Sequence, residues 1–243
     1  MSNLIDTHFH LDYYKNHKEI YNLINNLKQY TLCVTNSPEI YLSCKKMYPE
    51  TQYVKFAVGF NPKTILTESL DMRTFNYAMK NTKYVGEVGL DFSKRYYSAK
   101  DLQIKAFEQI VNVAQSENKL MNIHSFRAEE AVLEILTRYK VQNAIIHWYT
   151  GSDQYIKDFI KIGCYFSINS NMIKSTYSSN FLRLIPSNRI LVESDGPFTK
   201  VNNIKYEPAL LGQSYEIIEN FCLVNDFKKV VFDNFKSLLS QYP

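Results

Sequence analysis

Short runs rich in β-branched and aromatic residues alternate along the chain with longer stretches whose apolar residues recur every three or four positions. The short runs read as strands and the longer stretches as amphipathic helices. The strand-like runs are residues 4–10, 31–36, 54–60, 84–90, 120–125, 144–149, 164–169 and 189–195. Helical patterns lie between them at 18–28, 40–47, 72–79, 98–118, 128–139, 152–162 and 177–184, and two more follow at 208–223 and 226–239. In the longest, Ala99, Leu102, Ala106, Phe107, Ile110, Val113 and Ala114 form a stripe expected to lie against the sheet. Residues 196–207, with Gly, Pro, Asn and Lys, read as a loop. Alternating strands and helices imply a parallel sheet with helical crossovers. Eight of them are better closed into a TIM-type (β/α)8 barrel than left as an open sheet. No repeat, linker or composition break divides the 243 residues, so one domain over 1–243 is expected.

Composition changes this picture little. The hydrophobic fraction of 45%, with 15 Phe and 19 Tyr, supplies a core that needs no disulfide scaffold. Cys33, Cys44, Cys164 and Cys222 are scattered without a CxxC pair, which suits a reducing compartment and disfavours a cysteine-built zinc site. The N-terminus lacks the basic and apolar regions of an export signal, and no apolar run is long enough to span a membrane. The expectation is a cytoplasmic protein without membrane contact. A formal net charge of +4 is compatible with a polyanionic substrate but does not select one; Lys45, Lys46, Lys94 and Lys100 read as solvated surface. The glycines are too dispersed for GxGxxG or GxxxxGK, which disfavours a dinucleotide or ATP.

Chemistry collects at the ends of the strand-like runs. His8 and His10 are two apart on the first, so both imidazoles project from one face. His124 and His147 lie near the ends of the fifth and sixth runs, leaving only His17 in a polar connection. Glu87 interrupts the apolar VGEVGL, and Asp195 follows the apolar ILV; carboxylates in such places are costly unless paired or bound to a cation. In a parallel barrel the C-terminal strand ends form the active-site mouth. Four imidazoles and two carboxylates exceed the shell of one simple zinc site, so two ions are expected. The proposed division gives His8, His10 and Asp195 to one, His124 and His147 to the other, and Glu87 to both. Water in the open positions would become a nucleophile, with Asp195 and Glu87 as the catalytic carboxylates.

The motifs DTHFHLD, GEVGLD, IHSFRAEE, IHWYTGS, YFSIN and ESDGP, running from Asp6 to Pro197, together resemble the TatD-related metal-dependent deoxyribonucleases, within the wider amidohydrolase-like barrels. The resemblance implies a distorted barrel, two divalent ions on those six residues, and hydrolysis of DNA phosphodiester bonds, typically from a 3′ end. It implies magnesium or manganese for activity, while the imidazole-rich shell is also able to retain zinc. The implied partner is DNA, single-stranded or at 3′ ends; relatives in bacterial phage-defence gene sets add protein partners of such a system to the range considered. The sequence departs from the family pattern twice. GFNP places Asn61 where a histidine is usual, and Phe126 stands where an arginine is common, with Arg127 beside it. Asn61, Arg127, Trp148 and Tyr149 are the candidate substrate contacts. Two other functions fit the same motifs: a small-molecule amidohydrolase, lactonase or phosphoesterase, and a barrel that only binds nucleic acid or a partner.

Overall fold

The computed structural model describes residues 4–174 and 182–242. Eight parallel strands alternate with helices: β1 (Ile5–Phe9), β2 (Tyr30–Val34), β3 (Val54–Ala57), β4 (Tyr84–Asp91), β5 (Leu120–Phe126), β6 (Ile145–His147), β7 (Tyr165–Ile168) and β8 (Ile190–Val192). The helices between them are α1 (His17–Leu27), α2 (Pro38–Met47), α3 (Met72–Met79), α4 (Lys100–Ser116), α5 (Glu129–Arg138), α6 (Asp153–Lys161) and the single turn α7 (Ser170–Ile173), followed by α8 (Leu211–Cys222) and α9 (Phe227–Leu239). Most of the helical pattern expected at 177–184 lies outside the described residues. No helix among those described is long and apolar enough to cross a membrane.

The strands pair as two arcs, β1-β2-β3 and β4 through β8 in sequence order. Two narrow seams join the arcs into a distorted barrel. At one, Val58 bridges Val85, and beyond the end of β3 the chain after β2 pairs directly with β4: Thr35 N donates to Gly86 O at 3.1 Å and Glu87 N to Thr35 O at 3.0 Å. At the other, Phe9 bridges Gly196 and Asp195 N donates to His8 O at 2.9 Å. Asp6 reinforces this second seam, accepting from Ser194 N at 2.8 Å and from Ser194 Oγ at 2.5 Å. Both seams adjoin residues of the candidate site.

Inside the barrel, strands read as apolar because both faces are covered; Phe9, Phe56, Val85, Val88, Ile123, Ile146 and Phe166 are all buried. Gly89 in β4 has φ +137, and a side chain there would place its Cβ 2.0 Å from the carbonyl oxygen of His124. Only glycine lets β4 and β5 approach this closely, which sets His124 beside Glu87's strand.

The runs read at 54–60 and 144–149 end as strands at Ala57 and His147, and three further differences from the sequence reading are informative. Residues 196–207 are not only loop: β9 (Lys200–Val201) and β10 (Ile204–Lys205) pair antiparallel around Asn202 and Asn203. Both asparagines are left-handed, at φ 48° and 66°, as a tight two-residue hairpin turn requires. In α4, Leu102 is 58% exposed while its neighbour Gln103 is buried. The inward face is chosen by hydrogen bonding rather than by hydrophobicity there: Gln103 Oε1 accepts from Asp91 N at 2.8 Å and Gln103 Nε2 donates to Asp91 O at 3.0 Å. Finally, β8 ends at Val192, and Asp195 lies three residues past it in a left-handed turn with φ 48°.

Helix α8 is fastened to the barrel by one buried phenol. Tyr215 Oη donates to Ile5 O at 2.9 Å and accepts from Ile5 N at 3.0 Å, satisfying both backbone groups at the start of β1. Tyr215→Phe is expected to destabilise the fold by about 1–3 kcal/mol, because it strands buried polar groups without changing shape. Urea unfolding of the two proteins side by side measures this; coincident midpoints would show that water replaces the hydroxyl at no cost.

Candidate metal centre

The strand ends bring His8, His10, Glu87, His124, His147 and Asp195 together at one mouth of the barrel. His8 Nε2 and His10 Nε2 lie 3.1 Å apart. Asp195 Oδ1 is 3.6 and 3.4 Å from these two nitrogens, and Glu87 Oε2 is 3.8 and 3.5 Å from them. The other oxygen of the same carboxylate faces a second group: Glu87 Oε1 is 2.9 Å from His124 Nδ1 and 3.4 Å from His147 Nε2, and those nitrogens are 3.4 Å apart. With metal–ligand bonds of about 2.0–2.2 Å, neighbouring donors of a tetrahedral or octahedral shell sit roughly 2.8–3.6 Å apart. Nearly all of these separations fall in that range. His8, Glu87 and His147 also bring donor atoms within 4.8 Å of one another, so the two groups adjoin.

Three of the four imidazoles, those of His8, His124 and His147, are aimed by what holds their far nitrogens. Asn122 donates through Nδ2 to Thr7 O at 2.7 Å, which turns its Oδ1 to accept from His8 Nδ1 at 2.8 Å. The proton is therefore on Nδ1, and the lone pair of Nε2 points at the other donors. Asp91 Oδ2 takes the same role for His124 Nε2 at 3.1 Å, and Glu193 for His147 Nδ1 at 3.3 Å. Glu193 is fully buried, bonded also to Asn169 Nδ2 at 3.0 Å and to the Ser167 hydroxyl. Carboxylates behind metal-binding imidazoles fix their orientation and raise their basicity. Asn122, Asp91 and Glu193 were not singled out by the sequence reading. The signal was present for Asn122 and Glu193, each a polar residue inside an apolar strand-like run, the same mark that identified Glu87; Asp91 falls one residue past the run at 84–90.

Charge within the cluster is balanced by mutual pairing. Burial acts to raise the Glu87 carboxyl, but His10, His124 and His147 outweigh it and hold the carboxyl well below its usual range. His10 is pushed up to about 9: burial opposes the charge, and Asp195 and Glu87 overcome that opposition. Burial, with His147 next, drives His8 the other way and keeps it neutral. Such a cluster calls for positive charge among its carboxylates, and divalent cations supply it while leaving every imidazole neutral. The donor set fits metal.

The site opens into a cavity of about 750 Å³, with His10, Glu87, His124, His147 and Asp195 at its floor. Its walls include Tyr13, Asn61, Lys63, Phe126, Trp148 and Phe198. Of the candidate substrate contacts, Asn61 and Trp148 line this cavity, whereas Arg127 and Tyr149 do not. Asn61 donates through Nδ2 to Glu87 Oε2 at 2.7 Å, so its amide steadies the shared carboxylate. Arg127 adopts a left-handed φ of 55°, and its guanidinium sits 5.6 Å over the Phe126 ring. Trp148 turns the chain sharply at φ 37°, which sends Tyr149 into the core, where its hydroxyl donates to Ser152 O at 2.7 Å.

Comparison with known proteins agrees with this geometry. The profile of the family described as "TatD related DNase" matches residues 5–240. "Deoxyribonuclease Tat-D" of Schizosaccharomyces pombe is 30% identical over 119 residues, 48% of this chain and 38% of that protein. An "uncharacterized metal-dependent hydrolase" of Haemophilus influenzae is 24% identical over 206 residues, covering 80% of this chain and 81% of its own. Among solved structures, YJJV, a TatD homologue from Escherichia coli, superposes with TM-score 0.84 over 98% of both chains at 17% identity, which establishes the barrel fold. The fold and site define a metal-dependent hydrolase barrel. The chain belongs to the TatD-related DNase family.

Two outcomes test the centre. Glu193→Gln keeps the hydrogen-bonding shape behind His147 but removes the charge, and divalent-metal affinity is expected to fall roughly 10- to 100-fold. Chelator competition with elemental analysis measures it; an unaltered affinity would mean that Glu193 serves packing alone. Because the metal-free protein holds a proton on His10 up to about 9, metal must displace that proton. Affinity should therefore rise as pH is raised toward that value, with proton release seen by calorimetry in buffers of different ionisation heat. Identical heats in all buffers would contradict it.

Proposed function

We propose that the protein is a deoxyribonuclease that uses two divalent ions to hydrolyse phosphodiester bonds, working from the 3′ ends of single-stranded DNA. The observation that carries this reading is the division of one buried carboxylate, Glu87, between two donor groups at the floor of an open cavity. The printed name of the fission-yeast relative supports the substrate class. A cavity of this size suits a chain end better than an intact duplex, and aromatic walls at Tyr13, Trp148 and Phe198 suit unstacked bases.

Divalent ions held by these residues would supply Lewis acidity, activating water and stabilising charge on the phosphoryl oxygens. The chain's own residues do the rest. Glu87 fixes the separation of the two donor groups, and Asn61 holds its Oε2 from behind. Asp195, at the cavity floor, accepts the proton that water gives up. The water oxygen then replaces O3′ on phosphorus, and O3′ leaves as an alcohol after taking a proton. Asn122, Asp91 and Glu193 hold the far nitrogens of His8, His124 and His147, so that each ring presents its other nitrogen to the centre. Magnesium or manganese suits turnover at oxygen-rich positions, whereas the imidazoles suit zinc, so the ion found on purification and the ion supporting activity can differ.

A small-molecule ester or phosphoester hydrolase is the second reading, favoured by a cavity with aromatic walls and few charges. Both are tested together. With magnesium or manganese, purified protein should shorten 3′-labelled and internally labelled single-stranded DNA. Glu87→Ala and Asp195→Asn should each lower kcat by roughly 10²–10⁴-fold, the latter at near-normal metal content. RNA, duplex DNA, bis(4-nitrophenyl) phosphate and 4-nitrophenyl acetate complete the panel, with chelation as control. Ester hydrolysis without nucleic-acid cleavage would replace the first reading with the second, and cleavage surviving both substitutions would refute it.

A further inference from the structure

Lys63 is the only lysine or arginine among the described residues that line the cavity. It sits at the start of a 3-10 turn (Pro62–Leu66) whose N-cap is Asn61. Asn61 Oδ1 accepts from Lys63 N at 2.9 Å, while Asn61 Nδ2 donates to Glu87 Oε2 at 2.7 Å. One side chain thus fixes both the shared carboxylate and the backbone from which the lysine projects. The Lys63 ammonium lies 3.7 Å from Asp91 Oδ2, and its side chain is 43% exposed. Asp91 in turn holds His124, so the cation stands on the side of the cavity belonging to the His124 and His147 donor group.

A purely structural role explains this placement poorly. Asp91 already accepts from His124 at 3.1 Å and from Ser93 N at 2.9 Å, so a third partner at the limit of ion-pair reach adds little. The side chain has water around it and is free to exchange a weak contact for a stronger one. A phosphodiester entering the cavity also meets the carboxylates of Glu87 and Asp195, and a cation on the cavity wall offsets their charge. Arg127 is folded onto Phe126, and the Asn61 amide is engaged by Glu87.

We propose that Lys63 binds the substrate's phosphate, holding a non-bridging oxygen above the His124 and His147 group and selecting anionic phosphodiesters over neutral esters. This rests on the nuclease reading for its substrate, but the charge and its position do not. Losing Asp91 and gaining phosphate exchanges one weak ion pair for a charge-assisted hydrogen bond.

The test uses Lys63→Met, Lys63→Glu and Lys63→Arg with three readouts. Binding of a fluorescent phosphorothioate oligothymidylate, which resists hydrolysis, is measured with magnesium present. Cleavage of the ordinary oligothymidylate gives KM, kcat and the salt dependence of KM; metal content and thermal melting check the scaffold. Lys63→Met should weaken oligonucleotide binding and raise KM roughly 10- to 100-fold, with a smaller change in kcat. It should also reduce the logarithmic salt slope by about one. The preference for bis(4-nitrophenyl) phosphate over 4-nitrophenyl acetate should fall by a similar factor; Lys63→Glu should do worse, and Lys63→Arg should restore most of the binding. Wild-type cleavage with KM, salt slope and preference unmoved in Lys63→Met would overturn the proposal and leave the nuclease reading standing. Binding without cleavage, weakened by Lys63→Met, would support Lys63 as the phosphate contact while the nuclease reading falls. If the wild-type protein binds no oligonucleotide, both are wrong.

Discussion

The structure depends on keeping the Glu87 carboxylate charged inside a barrel whose strands are otherwise apolar. Isolated burial of an ionised carboxylate costs several kcal/mol even after relaxation. Glu87 is 4% exposed, yet its two oxygens are met by His10, His124, His147 and Asn61, each from a different part of the chain. The arrangement is therefore non-local: no strand alone can satisfy the charge, and the charge is tolerable only where the strand ends converge. Backbone constraints serve the same point. Gly89 lets β5 come close, and the left-handed turns at Trp148 and Asp195 redirect the chain as it leaves β6 and β8.

Behind the converging imidazoles lies a layer of residues that do not line the cavity. Asn122, Asp91 and Glu193 each hold the nitrogen that faces away from the centre. Gln103 of α4 clasps both backbone groups of Asp91, so even an outer helix contributes to how His124 is aimed. A donor atom displaced by an ångström loses much of its value to a metal ion, and this layer supplies the rigidity that the strand ends lack.

The barrel order was legible in the alternating runs, and the six donors in the histidines at strand ends and in the carboxylates of Glu87 and Asp195, which interrupt or follow apolar runs and whose burial demands a reason. The same logic marks Asn122 in LMNIHS and Glu193 in ILVES, but which imidazole each one holds is decided by contacts between distant strands. Gln103 was hidden by the helical stripe, which nominates Leu102 on hydrophobicity, although hydrogen bonds to Asp91 decide the face. Lys63 carried no signal at all, since one lysine in a turn looks like any solvated lysine; its position becomes informative only when the cavity wall is known. Tyr149 and Arg127 follow strand ends, where side chains commonly face a barrel mouth. The local turn geometry at Trp148 and Arg127 itself sends them elsewhere, and one-dimensional spacing does not contain that geometry.

The two seams give the centre a mechanical meaning. The barrel consists of a three-stranded and a five-stranded arc, joined among the described residues by five backbone hydrogen bonds at the seam beside Glu87 and two at the seam beside Asp195. His8 and His10 belong to the smaller arc, His124 and His147 to the larger; Glu87 lies at one seam and Asp195 at the other. An ion shared by His8, His10, Asp195 and Glu87 would tie the arcs together across both seams, so its binding would oppose their separation. Metal loading would then slow any opening of the seams, and amide exchange at Val58, Gly86 and Asp195 would report ion occupancy from the backbone itself.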